Sequence, residues 1–303
     1  MNSLSTIDIK DCLSSESLLN ALRSAQQYKS FREQIEKSGM TDETIRWVKT
    51  NLRTEVGIPN DGLVTGYYLP RIQGSLSRTD KFSIPVYSAP LDSASPGPTR
   101  NEIESKHALA DKKLEVAWVG NKVDLFFVHI QGYGILELED QTTLMLQKAG
   151  SNQLPYFAIG KALIEQGKVA KEQMSMQSIR QYLEQHPEDI DPILQLNNRF
   201  IYFNVQEHGP IGSADSLLVP FRSVATDWNY YPPQSLLYIE TSLPTFTDGK
   251  VTREQHPASF FALTHDSGNA IVGPGRIDLY CGEDALLAGH LNSKGKIYLL
   301  KQD

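Results

Sequence analysis

From residue 199 onward the chain is a succession of short apolar pieces. They are Phe200-Ile201-Tyr202-Phe203 and residues 216–219, 236–240, 260–263, 277–280 and 297–300. The stretches between them are rich in Gly, Pro, Asn and Asp. Pieces of four or five residues, rich in β-branched and aromatic side chains and closely spaced, cannot build a helical bundle. They predict a sheet that closes into a barrel or folds into a sandwich.

The first segment has a different character. Leu18, Leu19, Leu22, Ala25 and Phe31 recur at helical spacing behind Ser14 or Ser15 as N-cap, and Ile45, Val48 and Leu52 mark a second short helix. Residues 63–70 and 84–87 then read as short strands broken by Pro and Gly, and residues 92–100 are the strongest loop signal. Residues 114–118 and 125–130 read as strands, with the second ending at Gln131-Gly132, and residues 135–138 follow. Helical spacing returns at Ile159, Leu163 and Ile164, at Met176, Ile179, Tyr182 and Leu183, and again over residues 189–196. The fold class is therefore mainly β with α elements and N-terminal helices.

Charge and cysteine content exclude several functions. With 29 Lys and Arg against 36 Asp and Glu over 303 residues, the net charge is −7. A weakly acidic chain gives no electrostatic reason to bind nucleic acid or an anionic membrane surface. No CxxC or HExxH spacing is present, so no metal site and no cofactor are expected. Cys12 and Cys281 leave open both one disulfide and two free thiols. No apolar run reaches the roughly 20 residues of a membrane-spanning helix. The first residues lack a basic start and an apolar core, so a signal or lipid anchor is not evident.

Two aspartates stand out. Asp278 lies in Arg276-Ile277-Asp278-Leu279-Tyr280 and Asp266 in Thr264-His265-Asp266-Ser267-Gly268, both among apolar residues and glycines. A carboxyl in such a setting is paired, hydrogen-bonded or held protonated. A protonated one in a cleft can give its proton to a leaving oxygen. The alternatives are ordinary: an Asx-turn for Asp266, and for Asp227, ahead of Trp228-Asn229, a turn anchor. His265 beside Asp266 invites a dyad, but strand neighbours point to opposite faces. Tyr67, Tyr68 and Tyr156 can offer an aromatic face to a ligand or simply pack in a core. Thr65 and Gln131, polar and flanked by or next to glycines, can hydrogen-bond to a ligand that approaches the backbone there.

Several stretches follow in order along the chain: Thr65-Gly66-Tyr67-Tyr68-Leu69-Pro70, Gln131-Gly132-x-Gly134, Ala149-Gly150-x-Asn152, Pro155-Tyr156 with Ile159-Gly160, and Met174-Ser175-Met176-Gln177. Arg222-Ser223-Val224-Ala225-x-Asp227, His265-Asp266-x-Gly268-x-Ala270-Ile271-x-Gly273 and Asp278-Leu279-Tyr280-x-Gly282 complete the series. In this order they resemble the membrane-bound lytic transglycosylase A family. The last three also resemble the 3D domain, whose three aspartates fall here on Asp227, Asp266 and Asp278.

The resemblance implies a discontinuous double-psi β-barrel over residues 1–103 and 217–303. A smaller, barrel-like β-domain would be inserted over 104–216, and a glycan strand would lie in the groove. It implies non-hydrolytic cleavage of the β-1,4 bond between N-acetylmuramic acid and N-acetylglucosamine, leaving 1,6-anhydromuramyl ends. Asp278 matches the catalytic acid, and its neighbour Asp266 is the second catalytic candidate, positioning Asp278 or stabilising positive charge on the sugar, while Thr65, Tyr67, Tyr68, Gln131, Tyr156 and Asp227 fall at glycan-binding positions. The implied partners are peptidoglycan strands and proteins of wall synthesis or hydrolysis. The implied state is a monomer, and the implied place the periplasm, outer-membrane-associated in full-length form. Tyr133, Lys148, Asn269 and Val272 depart from the family's usual residues, Val272 standing where Lys is common. An expansin-like glycan binder and a hydrolase with Asp266 or Asp227 as base are the rivals.

Overall fold

The structure is a computed structural model that describes residue 4 and residues 7–91 and 96–302. The loop signal at 92–100 therefore lies partly outside the described residues. The chain divides into two compact units, Met1–Tyr68 with Ile211–Asp303, and Leu69–Pro210.

Among the described residues twelve strands carry the fold. In chain order they are β1 (Leu52–Tyr67), β2 (Arg71–Ser75), β3 (Ile84–Tyr87), β4 (Glu115–Val119), β5 (Tyr133–Glu137) and β6 (Thr143–Ser151). There follow β7 (Ile201–Gln206), β8 (Ser223–Thr226), β9 (Leu236–Thr247), β10 (Lys250–Asp266), β11 (Arg276–Tyr280) and β12 (Asn292–Gln302). In the first unit β1-β11-β8-β10-β9-β12 close into a barrel. Two of its pairings, β1 with β11 and β10 with β8, are parallel and the others antiparallel. The strand pattern called for a mainly β fold and left barrel and sandwich open; the closed barrel is the one that the family resemblance implied.

The N-terminal helices seal one side of this barrel. The helix Ser15–Leu22 starts where Ser14 accepts a hydrogen bond from the Ser17 N–H. Leu18, Leu22, Phe31, Ile35 and Val48 are buried against Leu236, Tyr238, Phe261, Leu263 and Leu300 of the barrel wall. Each such side chain removed from water contributes roughly 1.5–3 kcal/mol. Arg222 fixes the register of that contact. Its guanidinium reaches Asp11 Oδ2 at 2.7 Å, Ser17 Oγ at 2.9 Å, and the carbonyls of Ser14 and Phe261, with both charged side chains fully buried.

The second unit is a six-stranded sheet in the order β3-β4-β2-β5-β6-β7. Its end strands β3 and β7 approach each other but share no ladder, so the sheet curls without closing. Ile72, Val86, Val119, Leu136, Leu146, Ile201 and Phe203 form the core it wraps.

Four sequence expectations need correction. The first boundary falls at 68/69 rather than 103/104, because β2 and β3 pair with β4 and β5 and so belong to the insert. The second falls at 210/211 rather than 216/217. Residues 125–130 are not a strand but part of the helix Lys122–Gln131. Asn121 caps its first turn with bonds from the Val123 and Asp124 N–H groups, and Gly132 ends it in the left-handed region at φ 81°. A short apolar run has no periodicity to decide its type; the cap and the glycine decide it. Residues 216–219 form only an isolated bridge, Ile211 with Leu217, and the strand begins later at Ser223.

Candidate active site

The three aspartates of the sequence analysis all lie in the barrel unit, and strand register brings two of them into one row. Asp278 on β11 pairs with Thr65 on β1 and with Ala225 on β8. Ala225 in turn pairs with Asp266 on β10, and Thr65 with Asn292 on β12. Residues in register share a face, so Asn292, Thr65, Asp278, Ala225 and Asp266 form one line across the wall. Ile277 and Leu279, on either side of Asp278 in sequence, are fully buried on the opposite face. The alternation leaves Asp278 partly exposed. Asp278 and Asp266 are two strand spacings apart, about 10 Å between backbones.

The two carboxyl groups have opposite surroundings. Thr65 Oγ1 donates to Asp278 Oδ1 at 2.6 Å, and among the described residues the other oxygen takes no hydrogen bond. Burial pushes the Asp278 carboxyl above its ordinary value. The Thr65 bond and the nearby Arg276 pull it back, and Asp266 adds to the upward push. Asp266, 4% exposed, is instead fully engaged. Oδ1 accepts from Ser213 N at 3.0 Å, Ser213 Oγ at 2.7 Å and Ser267 N at 2.9 Å, and Oδ2 accepts from the Tyr67 hydroxyl at 3.1 Å.

Local sequence explains both placements. The ladder between β10 and β8 shifts register between Leu263 and Asp266, which re-aims the end of β10. His265 therefore turns into the protein. It is fully buried, with Nε2 at 3.0 Å from Ser24 Oγ and Nδ1 at 2.8 Å from Ser223 Oγ, and burial lowers its pKa to about 4. It is neutral packing and no catalytic dyad. Its carbonyl accepts from Ala214 N and lies where a side chain on Gly212 would collide, at 2.3 Å from an ideal Cβ. That close approach delivers Ser213 to Asp266.

The remaining candidates separate. Tyr67 is buried, bonded to Asp266, and its ring lies 5.4 Å from Tyr280. Tyr68 is buried at the end of the barrel unit. Asp227 anchors a turn: it accepts from Asn229 N and Nδ2 and from Gly273 N at 2.8 Å, and these bonds hold its carboxyl below the usual range. Gln131 and Tyr156 belong to the other unit, where Gln131 donates to Met176 Sδ and Tyr156 is 44% exposed. Gly66, next to Thr65, makes room for the helix Ala285–His290: an added Cβ would sit 2.8 Å from Ala288 Cα. Cys12 and Cys281 are both free, the first exposed and the second buried. Ser213 and Arg276, which lie beside the two aspartates, are residues that the motifs did not single out, and Tyr280 stood in a motif without a role. Gly212-Ser213, a small pair ahead of a polar loop, was the available signal for the first.

Comparison with known proteins gives this geometry a lineage. Residues 63–204 match the family model described as the MltA specific insert domain, and residues 222–301 match the 3D domain. The membrane-bound lytic murein transglycosylase A of Escherichia coli strain K12 is 36% identical over 253 residues, covering 81% of this chain and 67% of the relative.

The chain belongs to the lytic murein transglycosylase A family.

The family relationship extends to solved folds. E. coli MltA with bound chitohexaose superposes with a TM-score of 0.80 at 27% identity, over 98% of this chain and 93% of that one. The membrane-bound lytic murein transglycosylase from Agrobacterium tumefaciens gives 0.76 at 29% identity, over 91% and 84%. Against its E. coli and Vibrio cholerae sequence relatives the chain spans about two thirds of their length, 67% and 65%. No helix among the described residues is long and apolar enough to cross a membrane.

Proposed function

We propose that this member of the family is a lytic transglycosylase that cuts peptidoglycan glycan strands with Asp278 as its single acid and base. One observation carries the mechanism. Of the two carboxyl groups in the row, only Asp278 keeps an oxygen without a donor among the described residues, while every oxygen of Asp266 is already accepting. A hydrolase needs a second carboxylate free to activate water or attack the sugar. The backbone separation alone would accommodate an inverting pair, so it is the hydrogen bonding of Asp266 that argues against one. Asp227 is likewise occupied by Gly273 and Asn229.

The chemistry then needs one group used twice. Protonated Asp278 gives its proton to the glycosidic oxygen as the bond from that oxygen to C1 of the muramyl residue breaks. The muramyl C6 hydroxyl oxygen attacks C1 and its proton passes to the Asp278 carboxylate, which restores the acid. The nucleophile is tethered to the sugar it attacks, so proximity replaces a bound water. Thr65 holds one Asp278 oxygen and leaves the other to face the glycan. Asp266 braces the wall by gathering Ser213, Ser267 and Tyr67. The Tyr67–Tyr280 pair, Tyr68, Gln131 and the exposed Tyr156 are the groups we assign to glycan contact. The relative's bound chitohexaose supports a glycan as ligand. The relatives are membrane-bound lytic murein transglycosylases, which supports a place at the bacterial cell wall.

The test is product analysis by mass spectrometry after digestion of purified peptidoglycan in oxygen-18 water. Unlabelled 1,6-anhydromuramyl ends are expected. Labelled reducing ends would make the protein a hydrolase, and glycan binding without any product would make it an expansin-like binder.

A further inference from the structure

On β11 the residue two before Asp278 is Arg276, and side chains two apart in a strand share a face about 7 Å apart. Arg276 is partly exposed, like Asp278, in a strand whose intervening Ile277 is fully buried. Arg276 pairs with Leu63 on β1, and Leu63 pairs with Lys294 on β12, which is exposed. Two cations therefore stand on the face of the acid, one on each side of Leu63. Among the described residues neither side chain makes an ion pair or hydrogen bond. Asp227 would continue the row beyond Arg276, but its carboxylate is spent on Gly273 and Asn229.

A cation beside a proton donor works against the donor, since it favours the ionised carboxylate. Arg276 has this effect on Asp278. Its position therefore serves something other than tuning the acid. A guanidinium without a protein partner, next to the bond being cut, matches a carboxylate on the substrate. Peptidoglycan supplies two: the lactyl carboxylate of muramic acid where the stem peptide has been removed, and the carboxylates of the stem peptide where it is present. A chitin-type glycan has neither.

We propose that Arg276, with Lys294 beside it, receives a carboxylate of the muramyl glycan and gives the site a preference for acidic over neutral strands. This rests on the glycan-cleaving reading above.

The test compares binding by Asp278→Asn with binding by Asp278→Asn/Arg276→Met, measured calorimetrically at low and moderate salt. The ligands are chitohexaose, peptide-free muramyl strands and peptide-bearing strands. The double variant should bind a carboxylate-bearing strand about fivefold more weakly, with the difference shrinking as salt is added, and chitohexaose within about twofold. Whichever acidic strand loses affinity identifies the carboxylate. Restored preference in Asp278→Asn/Arg276→Lys would exclude a folding defect. Equal loss on all three ligands, or none, overturns the inference and leaves the glycan-cleaving reading intact. No binding of any glycan by Asp278→Asn itself overturns both.

Discussion

The rim of β11 and the end of β10 hold the same side chain in the same row, yet the two aspartates are built for opposite tasks. Asp266 is met by two backbone N–H groups and two hydroxyls, and its burial is compensated. Asp278 is met by a single threonine hydroxyl, and its burial is not. The difference shows that donor count, and not residue type or strand position, separates a brace from a proton carrier. An under-compensated carboxyl is costly when ionised, so it holds its proton to higher pH. The same deficit that weakens the fold makes the acid.

The largest test of this contrast is Asp278→Asn. Turnover to anhydro products should fall about a thousandfold, while the thermal midpoint at neutral pH should not fall. The sign follows from linkage. A carboxyl whose folded pKa is raised contributes stability below its unfolded value, and that contribution is lost as pH rises through the folded value. The amide removes the loss. A clear drop in melting temperature would make Asp278 a brace like Asp266.

Asp266→Ala should behave in the other way, losing about 2–3 kcal/mol of stability in chemical denaturation because buried donors are left without an acceptor. Its residual turnover should stay well above that of Asp278→Asn. If Asp266→Ala were stable yet inactive, Asp266 would be the second catalytic carboxylate and a hydrolase would follow.

Tyr67→Phe removes one of the bonds to Asp266 and should cost about 1 kcal/mol, with the Tyr280 contact kept. Thr65→Val has the smallest expected effect and the sharpest one. The Thr65 bond lowers the Asp278 pKa, so its removal should move the decline of the pH–rate profile to higher pH. A shift to lower pH would contradict the assignment of the donor.

Much of this was legible in the sequence because it depended on local chemistry. The strand pieces of the last third, the Ser14 cap and the isolation of Asp278 and Asp266 among apolar residues all read directly. What failed depended on pairing. Nothing in residues 71–87 declares that they join strands from 115–151, so the domain boundary was placed at the more conspicuous Pro- and Gly-rich loop. The helix Lys122–Gln131 does not declare itself because so short an apolar run has no period, although Asn121 and Gly132 mark its ends. The shared register of Asp278 and Asp266 on Ala225 depends on a ladder shift that no local pattern encodes. Ser213 and Arg276 gained meaning only once that row was visible.

The central claim is that Asp278 carries the proton, and a titration of its labelled carboxyl carbon by NMR alongside the pH–rate profile tests it most directly. The carboxyl should titrate above the ordinary 3.8, and activity should decline with rising pH at the same midpoint. A midpoint at or below 3.8, or activity that continues to rise after the carboxyl has ionised, would contradict it.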